Sequence, residues 1–206
     1  MTRSEKAMPL DAIVLAAGAS SRFSGGKLLA PWGDGVLLDG ALSAAFAAPA
    51  EAVTVVWGAD AGVPAATEAF AARVGQAGRL RLVHAGRFAE GMAESLKAGV
   101  ASLPSGSSGA FIFLGDMPRI APGVATGLAE ALIGGAAAAV PVFEGRRGHP
   151  VLFGRALYPA LLALSGDRGA ASVLSALGPD LALIDSPDDG VLFDVDRPED
   201  LSKSGM

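Results

Sequence analysis

The run Ala12-Ile-Val-Leu-Ala-Ala17-Gly18-Ala-Ser20-Ser21-Arg22-Phe-Ser-Gly25-Gly26-Lys27-Leu28 decides the fold. Six apolar residues have the length and character of a strand buried on both faces, and they run directly into a loop rich in glycine and serine. Small residues let backbone N–H groups approach an anion, and Arg22 and Lys27 supply charge, so the loop reads as a phosphate site following a first strand. It is not a Walker A loop: no glycine stands five positions before Gly26, and leucine follows Lys27. A Gly-x-Gly-x-x-Gly dinucleotide fingerprint is also missing.

Outward from this strand, short apolar runs alternate with longer alanine-rich stretches. Strands are expected at 12–17, 52–57, 80–84, 110–114, 138–143, 151–153 and 181–184, with helices at 37–48, 63–74, 92–102, 123–133, 155–164 and 170–177. This alternation predicts an α/β fold, a three-layer α/β/α sandwich around a Rossmann-like, mostly parallel sheet, with right-handed crossovers laying the helices on alternate faces. Ligands of such sheets bind beyond the carboxyl ends of the strands. The loops after Ala17, Trp57, His84 and Leu114 are therefore the places to look for chemistry.

Composition removes several classes. With no cysteine among 206 residues there is no disulfide framework, thiolate nucleophile, iron–sulfur cluster or zinc ribbon. A net charge of −5 argues against a nucleic-acid partner, because such surfaces depend on clustered Lys and Arg. Mean hydropathy is high at +0.44, but alanine supplies much of the excess. Every long apolar stretch is broken within about a dozen residues, short of the roughly 20 that a bilayer span requires. No signal peptide or membrane segment is read, and a cytoplasmic protein is expected. The chain 1–206 reads as a single domain with its core at about 10–201 and a fraying tail at 202–206.

Two acidic blocks carry candidate metal chemistry. Leu114-Gly-Asp116-Met-Pro118 puts a carboxylate at the carboxyl edge of the fourth expected strand, where a hard cation can take one or two carboxylates plus phosphate oxygens. The competing role for Asp116 is to cap the next helix. In Phe193-Asp194-Val-Asp196-Arg-Pro198-Glu-Asp200, an extended strand would project Asp194 and Asp196 to one face. Pro198 would then open a short terminal helix, for which Asp196 is also a candidate cap.

The first loop resembles the signature Leu-Ala-x-Gly-x-Ser-x-Arg-x4-Lys of the MobA-like NTP transferases, a family with the fold of the nucleotide-diphospho-sugar transferases that includes the molybdenum-cofactor cytidylyl- and guanylyltransferases. The resemblance extends from residue 12 to about 201. It places Arg22 and Lys27 on the triphosphate as catalytic residues with Asp116, and Leu15, Ala16, Ala17 and Gly18 beside the nucleotide. Gly91 and Ser95, in a Gly-Met-x-x-Ser-Leu element, join that group. Asp116 and a C-terminal aspartate, Asp196 in preference to Asp194, are implied to bind Mg2+, or Mn2+ in its place. Arg146 and His149 before Pro150, with Asp167 and Arg168 in Gly-Asp-x-Gly-Ala, are similar to acceptor-binding elements and would form an electropositive patch with Arg147.

The implied reaction is attack by an acceptor phosphate on the α-phosphorus of an NTP, with release of pyrophosphate. Leu-Ala-Ala-Gly is similar to the cytidylyl branch, since alanine at position 17 leaves less room for a purine, which implies CTP and molybdopterin as substrates. Transient contact with a molybdoenzyme or its chaperone is implied as well. The alternatives are a GTP-using molybdopterin guanylyltransferase, transfer to a sugar phosphate or methylerythritol phosphate, an NAD(P)H-dependent oxidoreductase, and a non-catalytic maturation chaperone.

Overall fold

The computed structural model describes residues 8–19, 23, 26–166 and 169–205. Along the chain lie β1 (Leu10–Ala16), the short hairpin β2 (Pro31–Trp32) and β3 (Gly35–Val36), α1 (Leu37–Ala47), β4 (Val53–Trp57), α2 (Val63–Arg73), β5 (Leu80–His84) and α3 (Met92–Ala101). They are followed by β6 (Gly109–Leu114), α4 (Val124–Ile133), β7 (Ala138–Phe143), β8 (Arg146–Arg147), β9 (Val151–Gly154), α5 (Tyr158–Leu162), α6 (Ala171–Ser175) and β10 (Leu181–Asp185). A 3-10 helix over Pro198–Gly205 closes the described chain.

The main sheet has the order β10-β7-β9-β6-β1-β4-β5, with β8 attached to β7. β1 lies between β4 and β6 and pairs in parallel with both. A central strand of a two-faced sheet has no solvent side, and its continuous apolar sequence follows from that. β9 runs antiparallel to β6 and β7, so the sheet is mixed but mostly parallel. Among the described residues no helix is long and apolar enough to cross a membrane.

The helices cover both faces, though not in strict alternation. Ala12, Val14 and Ala16 of β1 pack in one core layer with buried residues of α1, α2 and α4. Ile13 and Ala17 belong to the opposite layer with residues of α3, α5 and α6. The order of the strands explains the departure: β1 to β4 and β4 to β5 are two steps in one direction across the sheet. Right-handed crossovers place both connecting helices on the same side, and the return from β5 to β6 then puts α3 on the other.

α1 determines where the loop after β6 lies. Leu37, Leu38, Ala41, Leu42 and Ala45 bury the inner face of this helix completely. Gly40 rests directly against Pro118, so an added Cβ would meet the Pro118 Cα at 2.6 Å and collide with its carbonyl oxygen. Substituting Gly40→Ala should therefore destabilise the protein by about 1–3 kcal/mol, the range for overpacking a close contact, and displace the Gly115–Pro118 loop. Chemical denaturation measures this, and a variant as stable as wild type would contradict the packing argument.

Candidate active site

The site forms where β1 and β6 end side by side. Leu15 is in register with Leu114, and beyond the ladder the Gly115 N–H donates to the Leu15 carbonyl at 2.9 Å. The two following loops, far apart in sequence, are thus held next to each other. A cleft of about 470 Å3 opens there, lined by Leu15, Ala17, Gly18, Ala19, Phe88, Ala89, Gly91, Met92, Ser95, Leu114 and Asp116. Of the residues expected beside a nucleotide, Leu15, Ala17, Gly18, Gly91 and Ser95 line it. Ala16 does not: side chains alternate along a strand, and Ala16 packs in the opposite core layer.

Lys27 and Asp116 meet at this end of the cleft. Lys27 Nζ donates to Asp116 Oδ2 at 2.6 Å, with side-chain exposures of 11% and 26%. Leu28, buried in the core, anchors the turn that presents the lysine. Asp116 does not cap a helix, since α4 begins only at Val124. Arg22, Asp167 and Arg168 lie outside the described residues.

The C-terminal segment docks on the same loop. The Val195 N–H donates to the Asp116 carbonyl at 3.0 Å, and Val195 is fully buried between exposed Asp194 and Asp196. The segment alternates as an extended chain would, but it forms no strand. Asp200 caps the terminal helix: its Oδ2 accepts from the N–H groups of Asp196 at 3.2 Å and Arg197 at 3.0 Å. Burial, and then the negative charges of Asp196 and Asp116, hold the Asp194 carboxyl above the usual carboxylate range.

His149 lies within the field of Asp116 and Asp194. Its Nδ1 is 3.4 Å from the Ile112 carbonyl, and burial pushes its pKa down despite the opposing pull of Asp116 and Asp194. Burial thus favours the neutral imidazole over the charged one. Arg146 and Arg147 are exposed on β8, and Arg146 lines a different hollow with Phe143, Glu144, Asp189, Leu192 and Phe193. Phe88, Met92 and Leu114 are cleft residues that the sequence reading leaves out. The signal for Phe88 was an apolar residue in the loop after a strand's carboxyl end, a place where nothing obliges it to be buried.

No three His, Cys, Asp or Glu side chains among the described residues converge closely enough to hold a metal ion unaided. Asp116 with a C-terminal aspartate fits a cation that completes its shell with phosphate oxygens and water, as Mg2+ does. It does not fit a self-sufficient protein cage.

A cleft at the carboxyl edge of a mostly parallel sheet is where such folds bind their ligands, and here a lysine and a carboxylate pair at one end of it. The chain belongs to the family of the MobA-like NTP transferase domain, whose model matches residues 12–181. It is a nucleotidyltransferase, and the oxidoreductase and non-catalytic readings fall away. It is 25% identical over 194 residues to the molybdenum cofactor cytidylyltransferase of Escherichia coli strain K12, covering 93% of each chain. Among solved structures it is similar to Rv0371c of Mycobacterium tuberculosis H37Rv, with a TM-score of 0.78, 25% identity and coverage of 97% of this chain and 98% of that one. A manganese complex of Rv0371c aligns at a TM-score of 0.73 and 24% identity over 95% of this chain and 97% of the other.

Burial of Asp194 and its repulsion by Asp196 and Asp116 have a measurable sign. Because the folded state raises the Asp194 pKa, it binds a proton more readily than the unfolded chain, so the stability contribution of this group falls as pH rises through the carboxylate range. Asp194→Asn should stabilise the protein at pH 7 and low salt by about 0.5 kcal/mol, the scale of exposed charge interactions. The gain should shrink in 1 M salt and as pH is lowered through the Asp194 titration. Thermal denaturation decides the point: a variant no more stable than wild type at low salt would contradict it.

Proposed function

We propose that this nucleotidyltransferase moves CMP from CTP to the terminal phosphate of molybdopterin, releasing pyrophosphate, with residues 1–206 acting as one catalytic unit. The observation that carries the reading is the Lys27–Asp116 pair at the end of a cleft lined by Ala17 and Gly18, which brings the cation proposed for phosphate and the carboxylate proposed for metal to 2.6 Å. Similarity over nearly the whole length to a cytidylyltransferase supports CTP. So does the presence of alanine at position 17, a residue that lines the cleft and whose methyl group, in this reading, takes space that a purine would need.

In this reading Arg22 and Lys27 hold the triphosphate and neutralise charge on the departing pyrophosphate. Gly18, and Gly91 at the start of α3, offer close backbone approach, while Leu15, Ala17 and Ser95 line the nucleoside end. Asp116 and Asp196, with Asp194 beside them, hold a divalent cation, Mg2+ or Mn2+, that supplies charge neutralisation at the phosphates when bound. Arg146, His149, Asp167 and Arg168 serve the acceptor, His149 as a neutral hydrogen-bonding group. The acceptor phosphate attacks the α-phosphorus in line; the new P–O bond forms as the bond to the β-phosphate oxygen breaks. Positioning and electrostatics suffice for such a transfer, and no covalent enzyme intermediate is needed.

Incubation with molybdopterin, Mg2+ and each of CTP, GTP, ATP and UTP, followed by pyrophosphate assay, tests this. Release is expected with CTP, and Asp116→Asn and Lys27→Ala should each lower kcat by at least about a hundredfold, the effect of removing one electrostatic stabiliser. Release with GTP in place of CTP would make it a guanylyltransferase. No release with any nucleotide, or wild-type turnover by Asp116→Asn, would overturn the reading.

A further inference from the structure

Three side chains form a packed column with Phe193 in the middle, its ring tilted by 39° to that of Trp32. The Arg119 guanidinium lies 4.7 Å from the centroid of the Phe193 ring, and Phe193 packs on Trp32 with centroids 6.1 Å apart. Arg119 also donates to Asp189 at 3.0 Å. The chain approaches so closely that a Cβ on Gly190 would collide with the Arg119 carbonyl oxygen. Each member of the column comes from a different segment of the site. Trp32 follows Lys27 through the β2–β3 hairpin, Arg119 follows Asp116, and Phe193 immediately precedes Asp194.

This arrangement matters because the segment carrying Asp194 and Asp196 belongs to no strand. Its backbone reaches the Asp116 loop through the Val195 hydrogen bond at 3.0 Å, and the cap at Asp200 is local to the terminal turn. The Asp194 carboxyl is repelled by Asp196 and Asp116, a push that the buried Val195 side chain and its hydrogen bond oppose at one point of the segment only. Aromatic and guanidinium stacking contacts can shift such a placement by about tenfold.

We propose that the Trp32–Phe193–Arg119 column is a positioning element that fixes the C-terminal aspartates beside Asp116 and thereby sets the affinity for the divalent cation. The inference rests on the metal-dependent reading given above. None of the three residues need touch substrate; they act through Asp194 and Asp196.

Direct Mn2+ binding to the full chain, measured by electron paramagnetic resonance with CTP present and no acceptor, tests the column without relying on turnover. Phe193→Leu should weaken Mn2+ binding at least about tenfold, as loss of outer-shell support commonly does. Phe193→Tyr, which keeps the ring, should bind as wild type. Arg119→Gln, at a partly exposed position outside the core, should weaken binding in the same direction. Phe46→Leu, which opens the Phe46–Phe70 pair elsewhere in the core, should lower thermal stability and leave Mn2+ affinity unchanged. Wild-type affinity in both Phe193→Leu and Arg119→Gln would overturn the inference alone, as would equal weakening by Phe46→Leu. Absence of Mn2+ binding by the wild type with CTP would overturn the metal-dependent reading, and the inference with it.

Discussion

Lys27 and Asp116 are 89 residues apart in the chain and 2.6 Å apart in space, and the rest of the site is organised around that approach. The pairing of β1 with β6 makes it possible. Parallel strands must share a direction, so their carboxyl ends lie at the same edge, and the loops that follow emerge as neighbours. Slipping β1 by one residue would exchange its two faces, removing Leu15 and Ala17 from the cleft and pushing Val14 and Ala16 out of their core layer. Burial on both faces therefore fixes the register, and the register fixes the cleft.

The same edge concentrates negative charge. Asp116, Asp194 and Asp196 lie near one another, with Lys27 as the cation in contact with Asp116. A protein selected only for stability would have little reason to put three carboxylates there. Their proposed use with a cation and a polyanionic substrate gives the arrangement a purpose, and the placement of the C-terminal segment then becomes part of the chemistry. Packing of Val195, stacking of Phe193 and the cap at Asp200 hold a chain segment that has no sheet ladder of its own.

Much of the architecture was legible because fully buried parallel strands announce themselves as short apolar runs. The first loop was equally legible, since its glycines, serine and two cations sit next to such a run. The direction of β9 was not: Val151-Leu-Phe153 is apolar whichever way it runs, and only its partners show that it is antiparallel. Which face each helix covers was also hidden, because strand order decides it and no local residue pattern records strand order. Asp200, four residues beyond Asp196, reaches back to accept from the Asp196 and Arg197 N–H groups, a bond that the residue pattern around Pro198 does not announce. Ala16 was grouped with its neighbours in the motif, though the period of a strand separates it from Leu15 and Ala17. The contact between Arg119 and Phe193 was not legible, because it joins segments that meet only in three dimensions, and neither was the burial of His149.

The most direct measurement is a crystal structure of the protein with CTP and Mn2+. The account predicts the triphosphate at Lys27, and the metal on Asp116 and a C-terminal aspartate, with the cytidine lying along Leu15, Ala17 and Ser95. Nucleotide bound instead in the hollow formed by Phe143, Arg146 and Phe193, or a metal held without Asp116, would contradict it.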